Sequence, residues 1–160
     1  MMNVHIICVG KLKESYLRDA CSEYIKRLGA FCKLTITELV PAKLPENPNP
    51  AQINAALEEE AAAILSKIPN GAAVYPMCIE GKMLSSEALS KEIENTGIGG
   101  TGTVVFIIGG SHGLSEKVKQ KAKIRLSMSP MTFPHQLARV MLLEQIYRAF
   151  MISSGGKYHK

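Results

Sequence analysis

Apolar and polar residues change period along the chain in a way that separates strands from helices. Asn3–Val9 is a continuous apolar run rich in β-branched residues and closed by Gly10, which reads as a buried strand. Leu17, Ala20, Cys21, Tyr24, Ile25 and Leu28 then fall on one helical face, with Gly29 as its stop. Cys32–Leu39 alternates, Leu34 and Ile36 against Thr35 and Thr37, as a strand with one wetter face does. Four prolines make 41–50 a stiff connection. A helix follows from about Ala51 to Lys67, with Ile53, Leu57, Ile64 and Leu65 inward and Glu58–Glu60 solvated.

Pro69-Asn70-Gly71 marks a turn before a third strand over Ala72–Ile79. Ser85 or Ser86 can cap a helix over Glu87–Glu94, and the glycine-rich stretch 96–103 reads as flexible loop. It leads into the apolar strand Val104–Ile108, which runs into Gly109-Gly110-Ser111-His112-Gly113. Ser115 opens a short polar helix through Lys121, and Ile124–Ser127 forms one more strand. Pro134 occupies the first-turn position of a last helix that ends near Ser153. Strands alternating with helices predict an α/β fold, a mainly parallel sheet flanked by helices, in a single domain over 1–160.

The last helix is apolar nearly all round, from Leu137 to Met151. One sheet face covers only one stripe of a helix, so the outer stripe predicts a second copy of the chain and hence a homodimer. No apolar run reaches the roughly 18 residues that span a bilayer, and the N-terminus lacks the pattern of a signal peptide, so a cytoplasmic location is expected, with no membrane partner. Cys8, Cys21, Cys32 and Cys78 form no C-x-x-C pair and have no histidine at ligand spacing, which predicts core packing and no metal.

Charge changes the picture in the second half. Residues 1–80 carry 8 Lys and Arg against 9 acids, whereas 81–160 carry 11 against 5, within a net charge of +5. Lys117, Lys119, Lys121, Lys123 and Arg125 put five cations in nine residues with no acid among them, an arrangement suited to phosphate contact. A polyanion, with nucleic acid first, is the partner this predicts.

Candidate chemistry centres on two stretches expected to meet in space, Val104–Gly113 and Leu126–Gln136. The glycine turn is not a phosphate loop, because it lacks G-x-x-x-x-G-K-[ST], and it lacks the G-x-G-x-x-G of a dinucleotide site. It does match G-x-S-x-G, so a serine hydrolase built on Ser111 is one reading. Its triad would need Glu144 or Glu116 as acid and His135 or His159 as base. The other reading is a metal-free nucleoside-cofactor pocket: glycine backbone on one wall, and on the other an apolar loop with Ser129 and Thr132 as polar points. The tail Lys157-Tyr158-His159-Lys160, hinged on Gly155-Gly156, carries a general-base candidate and groups that stack on RNA bases.

Val9–Lys13, Glu80–Lys82, Phe106–Gly113, Met131–Gln136, Glu144–Phe150 and Tyr158–Lys160 together resemble the RlmH family, the SPOUT-class 23S rRNA (pseudouridine-N3)-methyltransferases, from end to end of the chain. The resemblance implies a C-terminal trefoil knot (the α/β knot), a homodimer, and S-adenosylmethionine as cofactor. It also implies methylation of N3 of a pseudouridine in a 23S rRNA stem-loop, at the subunit interface of the assembled ribosome. Carried over by position, the cofactor residues are Met77, Gly109 and the loop Met128, Ser129, Pro130, Met131, Thr132 and Phe133. Met77 stands where family members often have Leu, and Pro130 where a polar residue is more usual; Pro130 has no N–H to give a cofactor. For catalysis, His159 or Tyr158 is expected near N3, with Arg139, one turn after His135, as the cation favouring the imidate.

Overall fold

The computed structural model describes residues 1–160. Its centre is a five-stranded, wholly parallel sheet of order β2-β1-β4-β3-β5, made by β1 (Met2–Val9), β2 (Cys32–Leu39), β3 (Ala73–Met83), β4 (Thr103–Ile108) and β5 (Leu126–Ser127). Five helices connect and cover it: α1 (Ser15–Leu28), α2 (Pro50–Lys67), α3 (Ser86–Ile98), α4 (Glu116–Lys119) and α5 (His135–Ser153).

The strand pleat decides which helix packs where, because successive side chains point to opposite faces. Val4, Ile6 and Cys8 of β1, with Val104, Phe106 and Ile108 of β4, pack on Cys21 and Leu28 of α1, Leu89 and Ile93 of α3, and Leu142, Leu143 and Ile146 of α5. The alternate residues, Ile7 and Val9 with Val105 and Ile107, pack on Ala61 and Ile64 of α2 and Val118 of α4. Strands buried on both faces explain why the sequence reads there as unbroken apolar runs.

Several boundaries differ from the sequence expectation. β3 continues beyond Ile79 to Met83, because its outer half pairs with β5. Gly81 permits that pairing: a Cβ there would lie 2.7 Å from the Arg125 carbonyl oxygen. α3 runs to Ile98, absorbing part of the expected glycine loop, with Ser85 accepting the Ala88 N–H as its cap. α4 stops at Lys119 and β5 is only two residues long. Pro134 caps α5 rather than forming its first turn. α2 packs through the small Ala56 and Ala61 together with Ile64, while Ile53, Leu57 and Leu65 are only half-buried.

The acidic run of α2 is not merely solvated. Glu58 accepts from Ser115 Oγ at 2.8 Å and pairs with Lys117 at 2.9 Å, and Glu60 accepts the Ala42 N–H. All four cysteines are free and buried. No helix is long and apolar enough to cross a membrane, and no cluster of three His, Cys, Asp or Glu side chains could hold a metal ion.

Candidate active site

The C-terminal ends of β3, β4 and β5 open onto a cleft of about 820 Å³. β4 delivers the chain to Gly109–Gly113, where the Gly113 N–H returns to the Gly110 carbonyl at 3.0 Å and closes a tight turn. Gly113 has φ +81°, a region open to glycine at little cost. Gly109 is needed for a different reason: its Cβ would collide with the Gly113 carbonyl. The turn can therefore lie flat beside the cleft, with Ser111 and His112 exposed at its tip.

The facing wall starts at β5. Ser127 Oγ donates to the Ser129 carbonyl at 3.1 Å, and the Met131 N–H donates to Ser129 Oγ at 3.0 Å, so one hydroxyl at each end shapes the turn. Of the residues expected to contact a cofactor, Met77, Gly109, Met128, Ser129, Met131, Thr132 and Phe133 all line the cleft. Pro130 lies in the same turn but is exposed and outside the lining. A neighbouring hollow of about 410 Å³ shares Met77, Leu126, Ser127 and Met128 with the cleft and reaches Ser85, Glu144 and Gln145.

The expected catalytic residues are divided between two places. Tyr158 donates to Glu144 Oε2 at 2.6 Å, and Arg148 donates to Glu144 Oε1 at 2.7 Å. His159 bonds Glu87 through Nε2 and lies 3.1 Å from Arg148 through Nδ1. The hydrogen bond to Glu144 pushes the Tyr158 phenol up to about 12. The tail thus lies beside the smaller hollow, next to Glu144. Arg139 is elsewhere: it is 4 % exposed, donates to Glu38 Oε2 at 2.6 Å and to the Gly10 carbonyl at 3.1 Å, and its Nε has no partner. Arg139 thus faces Glu38 and Gly10 near the start of α5, whereas the tail packs on Glu144 and Arg148 further along the helix.

The hydrolase triad is not assembled. Glu144 is engaged by Tyr158 and Arg148, Glu116 by Arg125, and His159 by Glu87, so neither candidate acid orients a histidine toward Ser111. The basic run is also less available than its sequence suggests. Lys117 pairs with Glu58, Lys119 with Glu80, Lys123 with Glu92 and Arg125 with Glu116, so four of the five charges are matched within the chain. Their acids lie far away in sequence or just before the run, which hid the pairing.

Two residues contribute in ways that their place in the sequence did not indicate. Gly81 sets the approach of β5 and hence the cleft floor. Lys123 ties the segment before β5 to α3: its ammonium donates to Thr96 Oγ1 at 2.7 Å and its N–H to the Val74 carbonyl at 2.8 Å. Thr96 and Glu92 also hold the buried Tyr75 hydroxyl. In the sequence Gly81 stood out only within the Glu80–Lys82 motif and Lys123 only as one of five cations, because the strand pairing and the Thr96 contact join residues far apart in the chain.

A parallel sheet whose C-terminal edge holds a glycine turn and an apolar loop defines an α/β protein built around a nucleoside-sized cleft. The family model described as "Predicted SPOUT methyltransferase" matches residues 2–159, and the chain belongs to this methyltransferase family. It is 50% identical over 159 residues to "Ribosomal RNA large subunit methyltransferase H" of Ligilactobacillus salivarius (strain UCC118), a match covering 99% of this chain and 100% of that one. With the same coverage, the proteins of that name from Clostridium beijerinckii and Leuconostoc mesenteroides subsp. mesenteroides are 52% and 47% identical.

Proposed function

We propose that this single-domain chain methylates N3 of a pseudouridine in a 23S rRNA stem-loop at the subunit interface of the assembled ribosome, using S-adenosylmethionine. The observation that carries the reading is the cleft between Gly109–Gly113 and Met128–Phe133. Its character fits the cofactor. Met77, Met128 and Phe133 offer apolar surface, the Ser129 and Thr132 hydroxyls offer a few polar points, and the close-packed glycine turn leaves room for a flat ring. Relatives of about half-identical sequence carry the name of a large-subunit rRNA methyltransferase. On this reading the loop Met128–Phe133 is threaded in a trefoil knot, the protein works in the cytoplasm, and the half-buried outer residues of α5, among them Met141, Tyr147 and Phe150, meet a second copy as a homodimer.

S-adenosylmethionine, when bound, supplies a sulfonium methyl group with a neutral leaving group. The chain's task is then to hold the base in line and let N3 lose its proton. His159 is the proton acceptor in this proposal. Tyr158, whose phenol stays protonated, is a hydrogen-bond donor that fixes the tail on Glu144. Arg139, ion-paired to Glu38, serves as a positioning residue at the start of α5 rather than as a cation at N3.

Calorimetry with S-adenosylmethionine, followed by methylation of ribosomes lacking the modification and mass mapping of 23S rRNA fragments, tests the reading. Micromolar cofactor binding and one added methyl on the pseudouridine are expected. No cofactor binding, together with labelling of Ser111 by a serine-directed phosphonate, would overturn it in favour of a hydrolase.

A further inference from the structure

A second crevice, of about 490 Å³, opens at the C-terminal ends of β1, β2 and β4. β1 and β4 are neighbours whose outgoing connections diverge, β1 through α1 toward β2 and β4 through α4 toward β5, and such switch points are where open parallel sheets collect ligands. It meets the cofactor cleft along Gly110, Ser111, His112 and His135, which line both.

The crevice is divided by chemistry. Val40, Pro41, Leu44, Ile53 and Leu57 make one side apolar, and Val40 is 84% exposed. Lys11 and Lys13 stand on the other side, on the loop that follows β1. That loop is fixed: Gly10 turns it with φ +106°, Arg18 donates to the Leu12 and Lys13 carbonyls at 3.2 and 2.8 Å, and the Lys13 N–H donates to Gln136 Oε1 at 2.9 Å. Unlike the four paired cations near β5, neither Lys11 nor Lys13 has an acidic partner. Glu38, at the same crevice, is matched by the buried Arg139, and Glu60 is turned onto the Ala42 N–H.

We propose that this crevice holds a nucleotide of the RNA substrate that neighbours the methylated one, with its phosphate on Lys11 and Lys13 and its base against Val40 and Leu57. The inference rests on the RNA methyltransferase reading above. Fixed, uncompensated lysines beside an apolar slot match an anion joined to a flat ring, and the volume lies in the range of roughly 300–1,000 Å³ typical of small-molecule sites. The shared ridge lets one RNA strand reach both hollows.

The test uses ribosomes lacking the modification. With Val40 replaced by p-benzoylphenylalanine, irradiation should cross-link the full-length protein to 23S rRNA within a few nucleotides of the target. A cross-link to a ribosomal protein, or none to RNA, overturns the proposal. The double variant K11A/K13A should bind ribosomes about tenfold more weakly at low salt, with its log–log salt slope reduced by about 2. Its S-adenosylmethionine affinity should be retained. An unchanged KM and slope would also overturn the site. The cross-link and the slope report binding without turnover, so a Val40 variant that cross-links beside the target, together with a wild-type chain that does not methylate, would point to failure of the reaction assignment alone.

Discussion

Arg139 and Glu38, 101 residues apart in sequence, meet at 2.6 Å and tie the start of α5 to the end of β2. The two partners are unequally buried. The Arg139 side chain is 5% exposed and that of Glu38 35%. Removing the glutamate strands a buried cation, whereas removing the arginine leaves an acid that water can reach. Glu38→Ala should therefore cost about 3 kcal/mol, and Arg139→Met only about 1 kcal/mol. Urea melts of both, and of the double variant, check this; the double variant should be more stable than Glu38→Ala alone.

Gly81→Ala should damage the cleft from outside its chemistry. The added Cβ meets the Arg125 and Leu126 backbone at 2.7 Å, neither of which is a flexible side-chain end. A loss of about 1–3 kcal/mol is expected from such overpacking, with S-adenosylmethionine affinity reduced more than tenfold. Gly102→Ala, where a Cβ meets nothing within 4 Å, should leave both quantities near wild type. Calorimetry and thermal melts of the pair separate backbone approach from general loss of glycine.

On the proposed mechanism, the tail divides donor from acceptor. With its phenol at about 12, Tyr158 remains protonated throughout the neutral range. The wild-type rate should therefore lack a tenfold-per-unit rise between pH 8 and 11, which a tyrosinate acceptor would produce. Tyr158→Phe should lower the single-turnover rate about tenfold while keeping the shape of the pH profile, and His159→Ala should lower it by about 10² or more. A Tyr158→Phe profile that lost a limb would reverse the two assignments.

Mild acid should destabilise the fold through two histidines. Burial, reinforced by Lys67, holds His5 below 6.5, and burial, reinforced by Arg139 and Lys13, does the same for His135. Unfolding takes up protons at these sites as the pH falls, so their stabilising contribution is complete above pH 6.5 and is lost on passing down through the folded values. The melting temperature should drop between pH 7 and 5, and H5Q/H135Q should flatten that drop. An equal drop in the double variant would refute the assignment.

The strand runs Asn3–Val9, Cys32–Leu39 and Val104–Ile108, the long α5 and the candidate cofactor loop could all be read from the sequence, because each depends on periods of two or 3.6 residues, or on local turn residues. The apolar stretch Leu126–Gln136 stood out by its composition, and the resemblance narrowed it to Met128–Phe133; its position against Gly109 is set by the fold, in which β3 separates β4 from β5 and both strands end on the same edge of the parallel sheet. What the sequence could not contain was partnership across distance. Lys117–Arg125 reads as five free cations until Glu58, Glu80, Glu92 and Glu116 come beside four of them, and Arg139 reads as available until Glu38 takes it. Periodicity is a local property, so the sequence alone determined the elements and the candidate cleft. Charge pairing, the reach of β3 to β5 and the second crevice at Gly10 depend on which strands become neighbours, and only the tertiary structure decided that.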